Sequence, residues 1–76
     1  MTSVMNPIIS KAIVNAKEKY GNDITVVIDY DGKGNEKIFI MYLNSVIETF
    51  NYTEYTSAKD IGALCAILDL GFRINL

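Results

Sequence analysis

The stretch that decides the fold is ITVVIDYDGKGNEKIFIMY, residues 24–42. It holds two runs in which apolar side chains recur at every second position, and a segment with two glycines separates them. Period-two alternation is typical of a β-strand with one buried face. The stretch therefore predicts a β-hairpin. The alternating apolar positions are Ile24, Val26, Ile28 and Tyr30 in the first run, and Ile38, Ile40 and Tyr42 in the second.

The turn chemistry predicts the register of this hairpin. A three-residue loop at 32–34, with Gly34 in the left-handed conformation, sets Asp31 opposite Asn35 and Asp29 opposite Lys37. The same loop pairs apolar residues with each other, Ile28 with Ile38 and Val26 with Ile40. A two-residue loop at 32–33 instead sets Asp29 against Glu36 and Ile28 against Lys37. The first register is the predicted one, because it matches opposite charges and keeps one face apolar.

The same turn also resembles the first half of a calcium-binding EF-hand loop. Asp29, Asp31 and Gly34 fit positions 1, 3 and 6 of that loop. Lys33 stands at ligand position 5, and Ile40 stands where a bidentate glutamate is needed. The flanking segments read as strands, whereas an EF-hand requires helices. We therefore expect a structural turn, with no metal and no cofactor bound there or elsewhere.

The segments on either side of the hairpin predict a helix and a third strand. Asn6 and Pro7 form a helix start, apolar residues then recur at helical spacing, and Gly21 follows as a stop, so we expect a helix over 7–20. VIETFNYTEY, residues 46–55, is rich in β-branched and aromatic residues and favours a strand. Residues 45–48 also match a capping box, which leaves a short helix open as the alternative.

The C-terminal part predicts a second helix and a short tail strand. Ser57 followed by Asp60 is a helix start signal, and Gly71 is a stop, so the expected helix covers about 58–70. The tail, FRINL at 72–76, alternates and adds a possible last strand. The fold class is therefore α+β: residues 1–76 form one small two-layer domain, a three- to four-stranded antiparallel sheet with two helices on one face, in the order α-β-β-β-α(-β).

Composition excludes several function classes. The 76 residues contain no histidine and one cysteine, Cys65, so an internal disulfide is impossible and a structural zinc site is disfavoured. A catalytic thiol needs a base beside it, and we expect Cys65 to be a buried small hydrophobe. With a formal net charge of −2 and scattered cations, nucleic-acid binding is disfavoured. We expect no enzyme activity, no small-molecule substrate, no membrane association and a cytoplasmic location.

The segment IGALCAILDLGF, residues 61–72, is the most informative about function. As a helix it is apolar nearly all round, which is typical of a helix buried on two sides. A domain of this size has one sheet face to offer, so the far side is covered either by other parts of the chain or by another protein. We expect a partner protein, or a second copy in a homodimer, to bind this helix and the adjoining strand. The expected contact residues are Phe50, Tyr52, Tyr55, Ala63, Ile67 and Leu70.

The order α-β-β-β-α within about 70 residues is similar to the double-stranded RNA-binding domain. In that family the second helix begins with lysines that grip phosphate, and the matching start here is TSAKDIG, with the single lysine Lys59. The resemblance implies nucleic-acid binding as the alternative function, for which Lys11, Lys17, Lys37, Lys59 and Arg73 must converge on one face. In size and acidity the chain also looks like the small inhibitors or regulators that phages and mobile elements encode against host proteins.

Overall fold

The structure is a computed structural model that describes residues 6–33, 35–51 and 56–75. Its elements, in chain order, are α1 (Pro7–Tyr20), a 3-10 turn (Gly21–Asp23), β1 (Ile24–Asp29), β2 (Lys37–Tyr42), β3 (Ser45–Asn51), α2 (Ala58–Leu68) and β4 (Gly71–Asn75). The α+β class and the element order are those predicted. The smallest dimension, 17 Å, corresponds to one helix layer on one sheet.

The four strands form one sheet in the order β3-β2-β1-β4. β1 and β2 are antiparallel, as are β2 and β3, whereas β4 is parallel to β1. The expectation of a wholly antiparallel sheet is corrected at this strand. The reason is the connection: α2 carries the chain across the sheet from β3 at one edge to β4 at the other, and such a helical crossover joins parallel strands.

The hairpin register is confirmed. Asp29 pairs with Lys37 and Ile28 with Ile38, and the pairing continues from Val26 to Ile40. Gly34 and its predicted conformation lie outside the described residues. Near the turn, Asp31 Oδ1 accepts hydrogen bonds from the backbone N–H of Lys33 at 2.7 Å and of Asn35 at 3.4 Å. The bond from Lys33, followed by hydrogen bonding from Asn35, lowers the pKa of the Asp31 carboxyl. An aspartate that accepts from the backbone two residues on is typical of a turn.

The third strand covers 45–51, so the alternative of a short helix at 45–48 is wrong. Its pairing with β2 shifts after Ile40, which faces Glu48, while Met41 faces Val46. Ile47 is the extra residue of a β-bulge. It packs partly buried against the core on the helix side of the sheet.

Local signals place both helix starts. Asn6 Oδ1 accepts a hydrogen bond from the N–H of Ile8 at 2.9 Å, and Pro7 occupies the first turn, so the helix predicted over 7–20 is confirmed. Ser57 Oγ accepts from the N–H of Asp60 at 3.1 Å at the start of α2. The two starts are joined, because the backbone N–H of Asn6 donates to Thr56 Oγ1 at 3.3 Å.

The end of α2 differs from the prediction. The helix stops at Leu68 and not near residue 70, because Asp69 adopts the left-handed conformation with φ of 59°. The N–H of Asp69 bonds to the carbonyl of Ala66, and the N–H of Leu70 bonds to that of Cys65 at 2.7 Å. Aspartate tolerates this conformation better than most residues. Gly71 is therefore not the stop but the first residue of β4.

The core lies between the sheet and the two helices. Both β1 and β2 direct their alternating isoleucines and valine into it, and the helices contribute one stripe each. Its fully or nearly fully buried members are Ile9, Ile13, Ala16, Ile24, Val26, Ile28, Ile38, Ile40, Ile61 and Cys65.

We predict that Gly71→Ala destabilises the fold through a clash with β1. A Cβ at residue 71 stands 2.9 Å from Cγ2 of Thr25, its strand partner, and the β-branched side chain has little freedom to move. We expect a loss of about 1–2 kcal/mol in the free energy of unfolding, measured by urea denaturation. In a Thr25→Ala background the same change meets no such methyl group, and its cost should fall by about 1 kcal/mol. An equal cost in both backgrounds contradicts this account.

Candidate functional site: the outer face of α2

Only one side of α2 packs into the core. Ile61 and Cys65 are completely buried, and Leu64 and Leu68 are partly buried against the same cluster. These positions recur at three- and four-residue spacing, so they form one stripe of the helix. The remaining surface of α2 points away from the sheet.

That remaining surface is mainly apolar and exposed. We call the exposed residues Lys59, Ala63, Ala66 and Ile67 the outer face of α2. Ile67 is 79% exposed. Burying an aliphatic side chain of this size is worth about 1.5–3 kcal/mol relative to leaving it in water. Among the described residues nothing covers the outer face, so the helix is buried on one side and not on two.

A shallow groove runs beside the outer face, between α2 and α1. It encloses about 280 Å³ and is lined by Ser10 of α1 and by Asp60, Ala63, Leu64 and Ile67 of α2. Its walls are mainly aliphatic carbon, with one hydroxyl and one carboxylate at the same site. Such a groove suits an apolar side chain that arrives from outside.

The six predicted contact residues fall into three groups. Ala63 and Ile67 lie together on the outer face of α2. Phe50 and Leu70 are only partly exposed and pack against the core, so most of their surface serves the fold. Tyr52 and Tyr55 lie outside the described residues. Of the predicted surface, which combined the helix with the aromatic strand, only the helix residues are exposed together in the described part of the chain.

Sequence reasoning missed the α1 side of the site. Ser10 belongs by its spacing to the polar face of the first helix, and nothing in its local pattern shows that it borders α2. Sequence reasoning also did not consider together Lys59 in the first turn of α2 and Asp69 at its C-terminal cap. The signal was present, since both are solvent-exposed charges that flank an apolar helix.

The cations required for nucleic-acid binding do not share a face. Lys11, Lys17 and Lys59 belong to the helix layer. Lys37 lies opposite Asp29 and Arg73 lies opposite Val27 in the strand pairing. These positions alternate with the core-facing ones, so both cations are on the side of the sheet away from the helices. The resemblance to the double-stranded RNA-binding domain therefore extends to the element order and not to a basic surface.

The other chemically active groups are few in the described ranges. Cys65 is buried, and burial raises the pKa of its thiol from 9.0 to about 11. Within residues 6–33, 35–51 and 56–75, no three His, Cys, Asp or Glu side chains are grouped so that they could hold a metal ion. None of the described helices has both the length and the apolar character to cross a membrane.

Comparison of the chain with protein-family models, with curated proteins and with solved structures finds no match. The candidate site is therefore defined by the exposure and geometry of α2 itself.

We predict that Cys65 makes the fold less stable in alkaline solution. Between pH 9 and about 11 the unfolded chain has released the thiol proton while the folded chain retains it, so the free energy of unfolding falls as pH rises through this window. Urea denaturation at about pH 8 and pH 10.5 measures the fall. It should be larger in the wild type than in Cys65→Ala, whatever stability the alanine loses at pH 8. Identical falls in the two proteins contradict the assignment.

Proposed function

We propose that this chain is a small protein-interaction module that binds another protein through the outer face of α2. The observation that supports the proposal is the 79% exposure of Ile67 on an otherwise apolar helix. Proteins that leave contiguous apolar surface in contact with water commonly use it as a binding site. The groove beside α1 adds a concave element into which a partner's side chain fits.

The binding mode follows from the chemistry of the face. Ala63 and Ala66 are short, so a partner can approach the helix backbone closely, and Ile67 projects beside them as the anchor. The partner's matching surface is apolar, with charged groups at its margins opposite Lys59 and Asp69. Contacts of this kind depend mainly on a few well-packed side chains.

A module of this kind can act without catalytic groups. Occupying a surface of another protein is sufficient to block or to redirect that protein, so an inhibitor or regulator of a host protein is the concrete form of the proposal. Such a role agrees with a described surface in which the most exposed apolar side chain lies on a helix and the cysteine is buried.

Substitution at Ile67 tests the proposal. Immobilised wild type, Ile67→Glu and Ile8→Glu are each incubated with lysate of the cells in which the chain is naturally made, and captured proteins are quantified by mass spectrometry. Ile8 is the matched control, since it is the same residue type, 70% exposed, on α1. A glutamate there lies in the first turn of the helix, where it is tolerated. Ile8 is also about 200° round α1 from Ser10, so it points away from the groove.

We expect at least one abundant captured protein other than this chain itself to fall about tenfold or more with Ile67→Glu and to persist with Ile8→Glu, because a charge replaces the apolar anchor. Circular dichroism shows whether each variant keeps its helices and strands. The same set of captured proteins on all three baits, with all three folded, contradicts the proposal.

A further inference from the structure

A cation lies at one end of the outer face of α2, and a carboxylate lies just beyond its other end. Lys59 lies in the first turn, and Asp69 caps the C-terminal end, and both are exposed. Ten residues separate them, which is about 15 Å along the helix axis. A surface with a cation at one end, a carboxylate at the other and an apolar centre is complementary to its own copy turned through 180°.

The positions around the helix support this match. At about 100° per residue, Lys59, Ala63 and Ala66 fall within about 60° of one another and form the centre line of the outer face. Ile67 lies on one flank of that line, on the side of the groove shared with α1. The face thus has a flat centre of short side chains, with one projecting side chain and one groove on the same flank.

A two-fold axis midway between Ala63 and Ala66 brings the complementary groups together. In an antiparallel pair of α2 helices, Ala63 of each copy then faces Ala66 of the other, and the short side chains allow close approach. Lys59 lies about 8 Å from the axis and Asp69 about 7 Å, measured along the helix at 1.5 Å per residue. Each Lys59 is thus level with Asp69 of the second copy, which lies about 80° round the helix from the centre line, on the flank opposite Ile67. The long lysine side chain spans this offset.

The same axis places the anchor residue over the groove. This two-fold axis is perpendicular to both helices and passes between them. It therefore places the Ile67 flanks of the two helices on the same side of the dimer, and it reverses the direction of the second helix. Measured along the helix, Ile67 lies about 4 Å from the axis toward the C-terminus of α2. Ile67 of the second copy therefore lies about 4 Å from the axis toward the N-terminus of the first helix. That point falls between Asp60 and Ala63, two of the residues that line the groove. A projecting side chain that enters a recess of the facing helix is the arrangement of a knob and a hole.

We propose that a second copy of this chain occupies the outer face of α2 while no other protein is bound there, by antiparallel pairing of α2 with α2. The inference rests on the outer face being the contact surface. It adds self-association through the same surface, which competes with the binding of another protein, together with two-fold symmetry and two reciprocal ion pairs between Lys59 and Asp69. The isologous geometry closes the assembly at two copies, so no filament forms.

The size of the face sets the strength of the dimer. Eleven residues give a helix about 16 Å long. One such helix provides well under the roughly 800 Å² per partner that a standard-size stable interface buries. The dimer is therefore weak and in rapid exchange, and its two exposed ion pairs make it sensitive to salt.

Charge reversal at the two ends tests the pairing. Lys59→Glu alone sets two carboxylates against each other at both ends of the helix pair, and Asp69→Lys alone sets two ammonium groups against each other there. Each variant should therefore dimerise about tenfold more weakly than the wild type. In a 1:1 mixture of the two variants, the heterodimer keeps the original pair of Lys59 with Asp69 at one end. At the other end the two reversed charges attract each other, provided that positions 59 and 69 meet as proposed. Sedimentation equilibrium from about 10 µM to 1 mM measures the wild type, each variant and the mixture.

We expect the mixture to associate within about threefold of the wild type and each variant alone to stay monomeric over most of that range. Ile8→Glu should dimerise like the wild type, and Ala66→Glu should not dimerise. Thermal melts verify that each variant is folded, since Asp69→Lys places lysine in a left-handed position.

Two results overturn the second-copy inference. One is a wild type that is monomeric at about 1 mM; the other is a dimer that both single charge reversals leave intact. Neither result touches the proposed function, which stands or falls on capture that depends on Ile67. Loss of both the dimer and the Ile67-dependent capture removes the outer face of α2 as a binding surface.

Discussion

The pairing of β1 on both of its edges is the interaction on which the rest of the structure depends. β1 is antiparallel to β2 and parallel to β4, and its residues Ile24, Val26 and Ile28 are essentially inaccessible to solvent. β4 pairs with the edge of β1 that β2 leaves free, whereas β3 lies beyond β2 at the opposite edge of the sheet, so the chain between β3 and β4 has to cross the sheet. That crossing is α2, and its place above the sheet follows from the strand order.

The position of α2 explains why an apolar helix is left half exposed. The helix layer is shared with α1, and only the stripe that contains Ile61 and Cys65 reaches the sheet. α1 borders one flank of α2 at the groove near Ser10, and Phe72 of β4 borders the other, where a Cβ at Gly62 would stand 3.1 Å from its ring. The outer face points away from all of these described elements. The outer face is therefore exposed because this fold covers one side of α2, although the helix is apolar enough to be buried on two.

The same geometry places the sheet between the outer face of α2 and two of the cations. Lys37 and Arg73 are carried on the opposite side of the sheet, while the helix layer presents Ala63, Ala66 and Ile67 between isolated charges. A contact that forms there relies on apolar packing at its centre and on charged groups at its ends. This distribution favours a protein partner over a polyanion, because phosphate recognition needs several cations on one surface.

The amino-acid sequence by itself determined the local features. The hairpin register followed from Asp29, Ile28 and Val26 because a turn fixes which residues lie opposite each other within a few positions. The bounds of α1 followed from Asn6, Pro7 and Gly21, whose capping effects act within one turn.

Tertiary structure alone decided the parallel placement of β4 and the choice of which side of α2 stays exposed. These features depend on contacts between residues far apart in the chain. A helix that is apolar all round carries no local signal of which side meets the sheet. The candidate site was therefore predictable as a helix, with Ala63 and Ile67 named, but its border with α1 and the position of its end charges emerged only once the elements were packed together.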